Sequence, residues 1–315
     1  MRGLFLAAFV AVIAAFAPTP YYLEAPGQAN DVSEILTIQG TRTYPPSGRF
    51  VLPTVVSEPA TLLYCFYGLL DPEAVLRKEP RPPQAQSPGG GGAGQMALSQ
   101  QLSTLVALRA LGYNLKPELE GLEILELEAD SPNHSRLQPG DLVLEAEGKR
   151  LTSRRQLRAS LIELSSQQTI LLKILRGKTS LNVQASTYSP RGETALGIVV
   201  RPTFKPFKFP VEVDFHSGNT SGASGGLVFA LAIYDLLTPE DLTKGRTVAA
   251  TGTLDADGTV GPIEGLEMKL KGAQRAGVTV TLVPKANYDA LSWMPDNMEV
   301  IPVESFKQAL DVLRR

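Results

Sequence analysis

The run Leu227–Leu237 constrains the fold most, because it is apolar on nearly every side. A helix of that kind has to lie inside a domain core. A chain of 315 residues, 43% of them hydrophobic, can form two or three cores of modest size.

The run directly follows a turn of small residues, Gly222–Gly226. At the N-terminus of a helix such a turn exposes the hydroxyl of Ser224 and leaves backbone N–H groups free to bind an anion. The sequence therefore predicts a serine nucleophile with an oxyanion hole. The residues predicted to form that hole are Gly222, Ala223 and Gly225.

Serine is a poor nucleophile at its ordinary pKa, so Ser224 needs a base within reach. The chain has two histidines, His134 and His216, and both precede the serine. The nucleophile turn of α/β-hydrolases requires an acid and a histidine after the serine, and trypsin-like proteases have a strand after it rather than a helix. Both classes are therefore disfavoured, while Asp214 with His216 remains a weaker alternative for the base.

A lysine can serve as the base when burial lowers its pKa, because loss of water penalises the ammonium form. Lys269 follows Ser224 in a predicted helix that ends at Gly277. At about 100° per residue, Lys269 borders an apolar stripe, whereas Lys271 and Arg275 point the opposite way. The stripe consists of Leu266, Leu270 and Ala273. This arrangement singles out Lys269 as the candidate general base.

Four segments resemble, in order and spacing, the proteolytic domain of the Lon family of serine proteases. They are Gly222–Gly226, Ala250–Gly252, Gly258–Lys269 and Arg275–Gly277, and the following Val278–Asn287 is similar to the family's strand with a Pro-x-x-Asn end. The resemblance implies that Ser224 is acylated, that Lys269 is its general base and that Thr251 hydrogen-bonds the lysine. Two residues depart from the pattern: Ala223 stands where the family has proline, and Glu264 where it has glycine.

The segment Leu137–Asp141, followed by an apolar strand and Gly148, resembles bacterial PDZ domains. The resemblance implies a small β-barrel-like domain with helices that captures peptide C-termini by adding them as a strand. The residues that match its carboxylate-binding loop are Leu119, Glu120, Gly121 and Leu122. Glu118, Glu120 and Glu123 crowd this loop with negative charge, which is expected to weaken capture of a carboxylate.

These observations predict an α+β protein with a Lon-type proteolytic domain, a PDZ domain and an N-terminal apolar segment. The predicted divisions are a signal or anchor segment at 1–22, a β-rich segment at 23–79, a Pro/Gly-rich linker at 80–95, a helix at 96–113, the PDZ domain at 114–188, a second linker at 189–206 and the proteolytic domain at 207–315. The first linker contains too few apolar residues to pack.

Residues 3–17 form an apolar stretch behind one positive charge, Arg2. The stretch falls short of the ~20 residues of an upright membrane span, and Ala15-Phe-Ala17 matches a signal-peptide cleavage site. The aromatic pair Tyr21-Tyr22 suits the interfacial belt of an anchor. We therefore expect a single N-terminal anchor in the cell membrane with the bulk of the chain outside the cytoplasm. Secretion after cleavage is the alternative.

The composition argues against several other functions. A net charge of −2 without a basic run disfavours nucleic-acid binding. The single cysteine, Cys65, excludes an intrachain disulfide and is expected to be a buried apolar residue. The histidines and the cysteine form no zinc pattern, so no metal or cofactor is expected. The sequence lacks Gly-x-x-x-x-Gly-Lys-Ser/Thr, so proteolysis should not require ATP.

The sequence thus predicts an ATP-independent serine endopeptidase that acts on unfolded or C-terminally recognised proteins at the outer face of the cytoplasmic membrane. Its partners are expected to be protein or peptide substrates, and the resemblance implies assembly as a homo-oligomeric ring. The alternative is a catalytically silent scaffold whose PDZ domain recruits envelope proteins. The departures at Ala223 and Glu264 motivate that alternative.

Overall fold

The structure, a computed structural model, describes residues 16–71, 73–78, 92–162, 164–190, 192–205, 208–216 and 222–315. Most of the predicted anchor and of the linker at 80–95 lies outside these ranges. Within them, no helix combines the length and the apolar character needed to cross a membrane. Contacts divide the chain into a first unit, residues up to Tyr113 together with Val211–Arg315, and a second unit, Asn114–Pro210.

The strands are β1 (Pro18–Asp31), β2 (Leu36–Gln39), β3 (Arg49–Thr61), β4 (Val75–Arg77), β5 (Leu119–Leu127), β6 (Leu142–Ala146), β7 (Lys149–Arg150), β8 (Thr169–Arg176), β9 (Thr179–Ser186), β10 (Ile198–Phe204), β11 (Glu212–Phe215), β12 (Thr247–Ala250), β13 (Thr253–Leu254), β14 (Val260–Gly261), β15 (Val280–Pro284) and β16 (Glu299–Val303). The helices are α1 (Leu62–Leu70), α2 (Gly92–Ala110), α3 (Arg154–Ile162), α4 (Gly226–Leu236), α5 (Leu266–Arg275), α6 (Lys285–Tyr288) and α7 (Phe306–Arg314), with a 3-10 turn at Val32–Glu34.

In the first unit, six strands form one mixed sheet in the order β16-β15-β12-β3-β1-β4. The four strands from β16 to β3 are parallel to their neighbours, whereas β1 is antiparallel to both β3 and β4. Side chains alternate between the two faces of a strand, so Phe50 and Leu52 join one core while Val51 joins another. Helices α2, α4 and α7 pack in the first of these cores and α5 in the second. The sheet therefore lies between two helical layers.

Helix α4 is the predicted buried helix. All of its residues from Gly226 to Asp235 are buried, which confirms the expectation drawn from its sequence. Its Phe229 also contacts the ring of Phe215 edge to face at 5.4 Å. Because the helix is enclosed, the turn at its N-terminus is fixed relative to the sheet.

The second unit is an antiparallel sheet in the order β10-β5-β6-β8-β9, with β7 paired to β6. Every second residue of β8 points into its core: Ile170, Leu172 and Ile174 are fully buried. Helix α3 contributes Leu157 and Leu161 to the same core.

The structure differs from the predicted division in three places. Strand β1 begins at Pro18, inside the predicted signal or anchor segment. The β-rich segment and the helix at 96–113 belong to the same unit as the C-terminal part, because β3 pairs with β12 and α2 packs against α4. The predicted linker at 189–206 contains β10, which pairs with β5. In addition, Cys65 is half-buried in α1 rather than part of a core.

Candidate active site

Ser224 lies in the turn that leads into α4 and is half-buried. Gly222 adopts a φ of +94°, which favours glycine. Gly225 is the N-cap of the helix, and a Cβ there would come within 2.8 Å of the Phe229 ring. Small residues in this turn are therefore a packing requirement, and they leave the serine hydroxyl at the helix N-terminus.

Two hydrogen bonds from the residues that follow β12 hold the carbonyl of Ser224. The N–H of Gly252 donates to it at 2.8 Å, and the hydroxyl of Thr251 donates at 3.1 Å. Thr251 is fully buried and directly follows β12. The backbone of the nucleophile is thus tied to the end of a central strand.

Helix α2 supports the same turn from the other side, through two buried serines that sequence reasoning missed. The hydroxyl of Ser99 donates to the carbonyl of Ala223 at 3.1 Å. The hydroxyl of Ser103 is 2.8 Å from the carbonyl of Gly226. The signal in the sequence was their spacing, since residues four apart share one helix face.

Lys269 reaches Ser224 from α5, in the opposite helical layer. Its Nζ lies 2.9 Å from Ser224 Oγ and 3.2 Å from the carbonyl oxygen of Pro53. The side chain is only 6% exposed, and burial lowers the pKa of Lys269 from 10.5 to about 8. The predicted pair of serine and lysine is therefore brought into hydrogen-bonding contact, with an amine that is easily made neutral.

Close packing fixes the position of α5. A Cβ on Gly272 would come within 2.5 Å of the carbonyl oxygen of Gly27 in β1, so only glycine allows this approach of helix and strand. The loop before the helix is held by Asn287, whose amide accepts from the N–H of Ile263 and donates to its carbonyl, both at 2.8 Å. These contacts determine where Lys269 points.

Ser224 and Gly225 are the last two residues before α4, and Gly225 is its N-cap. Within the described ranges, no residue accepts a hydrogen bond from the backbone N–H of either of them. Free N–H groups at a helix N-terminus attract negative charge. The turn therefore has the donors that an oxyanion hole needs.

The structure places the residues of the predicted carboxylate-binding loop in a strand. Residues 119–122 lie inside β5, where Leu122 pairs with Pro202 of β10 on one side and with Val143 of β6 on the other. A Cβ on Gly121 would contact Leu142 and the Val143 carbonyl oxygen, so this glycine serves strand packing. Where β5 is paired on both sides, at Leu122 and Glu123, it has no free edge to which a peptide can add.

Of the two edge strands of this sheet, β9 and β10, strand β10 contacts helix α3. It begins after the turn Leu196-Gly-Ile198, in which Gly197 has a φ of +65° and a Cβ would contact Ser131. In the sequence, β10 is marked by a glycine between two apolar residues, followed by β-branched residues. The prediction of a linker at 189–206 missed this signal.

Two comparisons with protein families agree with this geometry. Residues 197–314 match the model of the Lon protease (S16) C-terminal proteolytic domain, and residues 109–187 match the PDZ domain model. The chain carries a Lon-type proteolytic domain and a PDZ domain. All of β1 to β4 and of α2 lies outside the Lon model's match, although the structure places them in the unit that holds the serine and lysine.

Curated relatives are similar over the Lon-type domain. "Lon protease 2" of Bacillus subtilis (strain 168) is 29% identical over 120 residues, which are 38% of this chain and 21% of the relative. "Lon protease 2" of Herpetosiphon aurantiacus is 33% identical over 132 residues, 41% of this chain and 16% of the relative. "Lon protease" of Azospirillum brasilense is 34% identical over 131 residues, 40% and 16% respectively. The chain thus spans about a fifth or less of the length of these relatives.

Solved structures of PDZ domains are similar to about a quarter of this chain. The PDZ domain of an SdrC-like protein from Listeria monocytogenes is 18% identical, with a TM-score of 0.26, and the match covers 27% of this chain and 93% of that one. The corresponding domain from Listeria innocua is 20% identical, with a TM-score of 0.25, and covers 26% and 93%.

The structure bears on two further residues of the Lon-type domain, Thr251 and Glu264. Thr251 binds the carbonyl of Ser224, whereas the described acceptors of the Lys269 amine are Ser224 and Pro53. Thr251 therefore holds the nucleophile's backbone rather than the lysine. Glu264 is exposed, and burial alone accounts for the lowered pKa of Lys269.

The alternative base is not next to the serine. His216 is exposed at the end of β11, and its backbone N–H donates to the carbonyl of Ile35 at 2.5 Å. Asp214 accepts from the side chain of Gln39 at 2.6 Å. No hydrogen bond found in the described part of the chain joins either residue to Ser224, which favours lysine as the base.

Proposed function

We propose that this protein is a serine endopeptidase that uses Ser224 and Lys269 as a catalytic dyad and works without ATP, tethered to the outer face of the cytoplasmic membrane. The observation that carries the proposal is the 2.9 Å contact between Lys269 Nζ and Ser224 Oγ, with the amine almost fully buried. A nucleophile within hydrogen-bonding reach of a base is the arrangement that acyl transfer needs.

The chemistry follows from this contact. Neutral Lys269 takes the proton of the Ser224 hydroxyl as Oγ attacks the carbonyl carbon of the scissile peptide bond. The oxygen of that carbonyl becomes negative and is stabilised by the N–H groups of Ser224 and Gly225 at the start of α4. Lys269 then gives its proton to the departing amine, which leaves an ester on Ser224. Water, deprotonated by the same amine, hydrolyses the ester and regenerates the serine.

The lysine must be neutral to start the cycle. With a pKa of about 8, roughly a tenth of the amine is neutral one pH unit below that value. A solvated lysine with a pKa near 10.4 would be neutral in only about one molecule in 2,500 at pH 7. Burial of Lys269 therefore accounts for a large part of its capacity as a base.

The remaining parts of the proposal rest on the sequence. The absence of a phosphate-binding Gly-x-x-x-x-Gly-Lys-Ser/Thr motif supports independence from ATP. The apolar residues 3–17 support a membrane tether. Substrates are unfolded proteins or proteins recognised at their C-termini. Assembly as a ring stays a prediction from the family resemblance.

For C-terminal recognition, the outer edge of β10 replaces the predicted loop at 119–122. A bound peptide would add as a strand between β10 and α3, since this is the sheet edge that a helix flanks. The turn at Leu196-Gly-Ile198 would receive the terminal carboxylate. A labelled peptide with a free C-terminus should then bind the full chain, and the same peptide with an amidated C-terminus should not. Equal binding of the two would count against carboxylate recognition.

Proteolysis by the purified full chain tests the dyad. Without nucleotide, the chain should degrade a chemically unfolded protein, and Ser224→Ala should abolish the cleavage. Lys269→Arg keeps the charge of the lysine but cannot act as a base at neutral pH, so it should be inactive too. His216→Ala is the matched control and should retain activity. Cleavage that survives Ser224→Ala would refute the assignment.

Labelling of the same full-length chain distinguishes the active protease from the catalytically silent scaffold. A fluorophosphonate that labels Ser224 covalently would exclude it, because only an activated serine reacts. Absence of labelling together with retained peptide binding would instead favour the scaffold.

A further inference from the structure

Helix α1 exposes an unusual amount of apolar surface. Its sequence, Leu62–Leu70, contains no charged residue, and none of its residues is buried. Phe66 is 61% exposed and Leu69 77% exposed. The exposed residues of the helix are Leu62, Leu63, Tyr64, Phe66, Tyr67, Leu69 and Leu70. A contiguous apolar surface of this kind marks a place where another apolar phase or molecule binds.

The exposed surface extends around most of the helix. At 100° per residue, the exposed positions span an arc of about 220°. Only Cys65 and Gly68 turn toward the sheet: Cys65 Sγ lies 3.5 Å from Thr19 Oγ1, and a Cβ on Gly68 would contact Leu23. A helix that packs on a protein surface buries a stripe of about 100°. One partner surface would therefore leave roughly half of the arc in water, whereas a bilayer can cover all of it.

The helix starts where the apolar N-terminal stretch ends. The N–H of Leu62 donates to the carbonyl of Ala17 at 3.1 Å, and Pro18 pairs with Thr61, the N-cap of α1. Phe16, the next residue toward the N-terminus, is 65% exposed. The last two residues of the apolar stretch, Phe16 and Ala17, thus lie at the start of the exposed helix.

We propose that α1 is a second membrane contact, a helix that lies in the interface of the bilayer beside the point where the N-terminal segment enters it. This inference rests on the membrane location in the proposed function. Nine residues are too few to cross a bilayer, but an apolar helix can lie in the headgroup region with its side chains among the acyl chains. Tyr64, Phe66 and Tyr67 are of the aromatic type that favours this region. A second contact would restrict how the proteolytic unit can tilt relative to the membrane.

A fluorescent probe on α1 tests the proposal. The full chain with Cys65→Ser and Leu69→Cys carries the environment-sensitive dye NBD at residue 69. It is reconstituted into vesicles of phosphatidylcholine and phosphatidylglycerol in equal amounts, with or without bromine on the acyl chains. The matched control is Cys65→Ser with Ile162→Cys, because Ile162 in α3 is 75% exposed. Co-sedimentation with the vesicles is measured in parallel.

We expect the probe at residue 69 to shift to shorter wavelength in vesicles and to be quenched several-fold more by brominated lipid than the probe at residue 162. A chain that co-sediments while residue 69 stays as accessible to water as residue 162 overturns the inference and leaves the membrane location intact. A chain that does not co-sediment overturns both. Two other results, each without quenching by brominated lipid, also overturn the inference. In the first, the probe is already shielded from water before vesicles are added, which packing of the N-terminal segment on α1 would produce. In the second, shielding of the probe depends only on protein concentration, which binding of a second copy of the chain would produce.

Discussion

The buried amine of Lys269 should make the stability of the first unit depend on pH in a defined way. Folding lowers the pKa of this lysine from 10.5 to about 8, so the folded state binds its proton less tightly than the unfolded state does. The stability available above pH 10.5 is therefore lost as the pH falls through 8. Lys269→Met removes the charge at similar size and should abolish this dependence.

The shift sets the magnitude. One pKa unit is 1.36 kcal/mol, so at pH 7 the protonated lysine should cost about 3 kcal/mol of folding free energy. At pH 10 the cost falls to about 1 kcal/mol, since the folded amine is then almost neutral. The difference in unfolding free energy between the lysine and methionine variants should thus change by about 2 kcal/mol between pH 7 and pH 10. Loss of the hydrogen bond to Pro53 adds an offset that does not depend on pH.

Urea unfolding in a Ser224→Ala background, which prevents self-cleavage, measures this difference. Trp293 is the single tryptophan of the chain and belongs to the first unit, so its fluorescence reports that unit. The tyrosines and the other lysines are common to both variants, so their contributions cancel in the difference between the two unfolding free energies. Unfolding curves whose difference stays constant from pH 7 to pH 10 would show that the amine is solvated and would refute the account of its pKa.

Two substitutions test what positions Lys269. Gly272→Ala places a methyl group against the carbonyl oxygen of Gly27, so urea unfolding should show a loss of about 1–3 kcal/mol, and kcat should fall as α5 moves. Gln274→Ala, on the same helix and half-buried, is its control, and equal effects of the two would contradict the packing argument. Asn287→Ala removes both hydrogen bonds to Ile263 and should cost about 2 kcal/mol. If Asn287→Ala leaves urea unfolding and kcat unchanged, its hydrogen bonds to Ile263 are not needed to position Lys269.

The serine and the lysine were predictable because each is marked by a local pattern. A small-residue turn before an all-apolar helix marks Ser224, and the border of an apolar stripe marks Lys269. Pro53, which also contacts the lysine amine, is 216 residues away from it. No local pattern connects those two residues, since the contact exists because α5 packs against β3.

Long-range pairing also explains the misplaced peptide site. The segment at 119–122 has the small and apolar residues of a binding loop, but β10, about 80 residues later, pairs with it and makes it an inner strand. Strand β1 was missed because Pro18, Pro20 and Pro26 interrupt its pattern of alternation. Proline is tolerated there at irregular register. Only the three-dimensional pairing reveals such strands.

The most direct test of the central claim is the pH dependence of covalent labelling of Ser224 by a fluorophosphonate. With Lys269 as the base, the rate should be half-maximal near pH 8, fall about tenfold per pH unit below that value, and keep this profile in His216→Ala. In Lys269→Met the labelling should be lost. A rate that is half-maximal near the ordinary pKa of histidine, about 6.5, and disappears in His216→Ala while surviving in Lys269→Met would contradict the account.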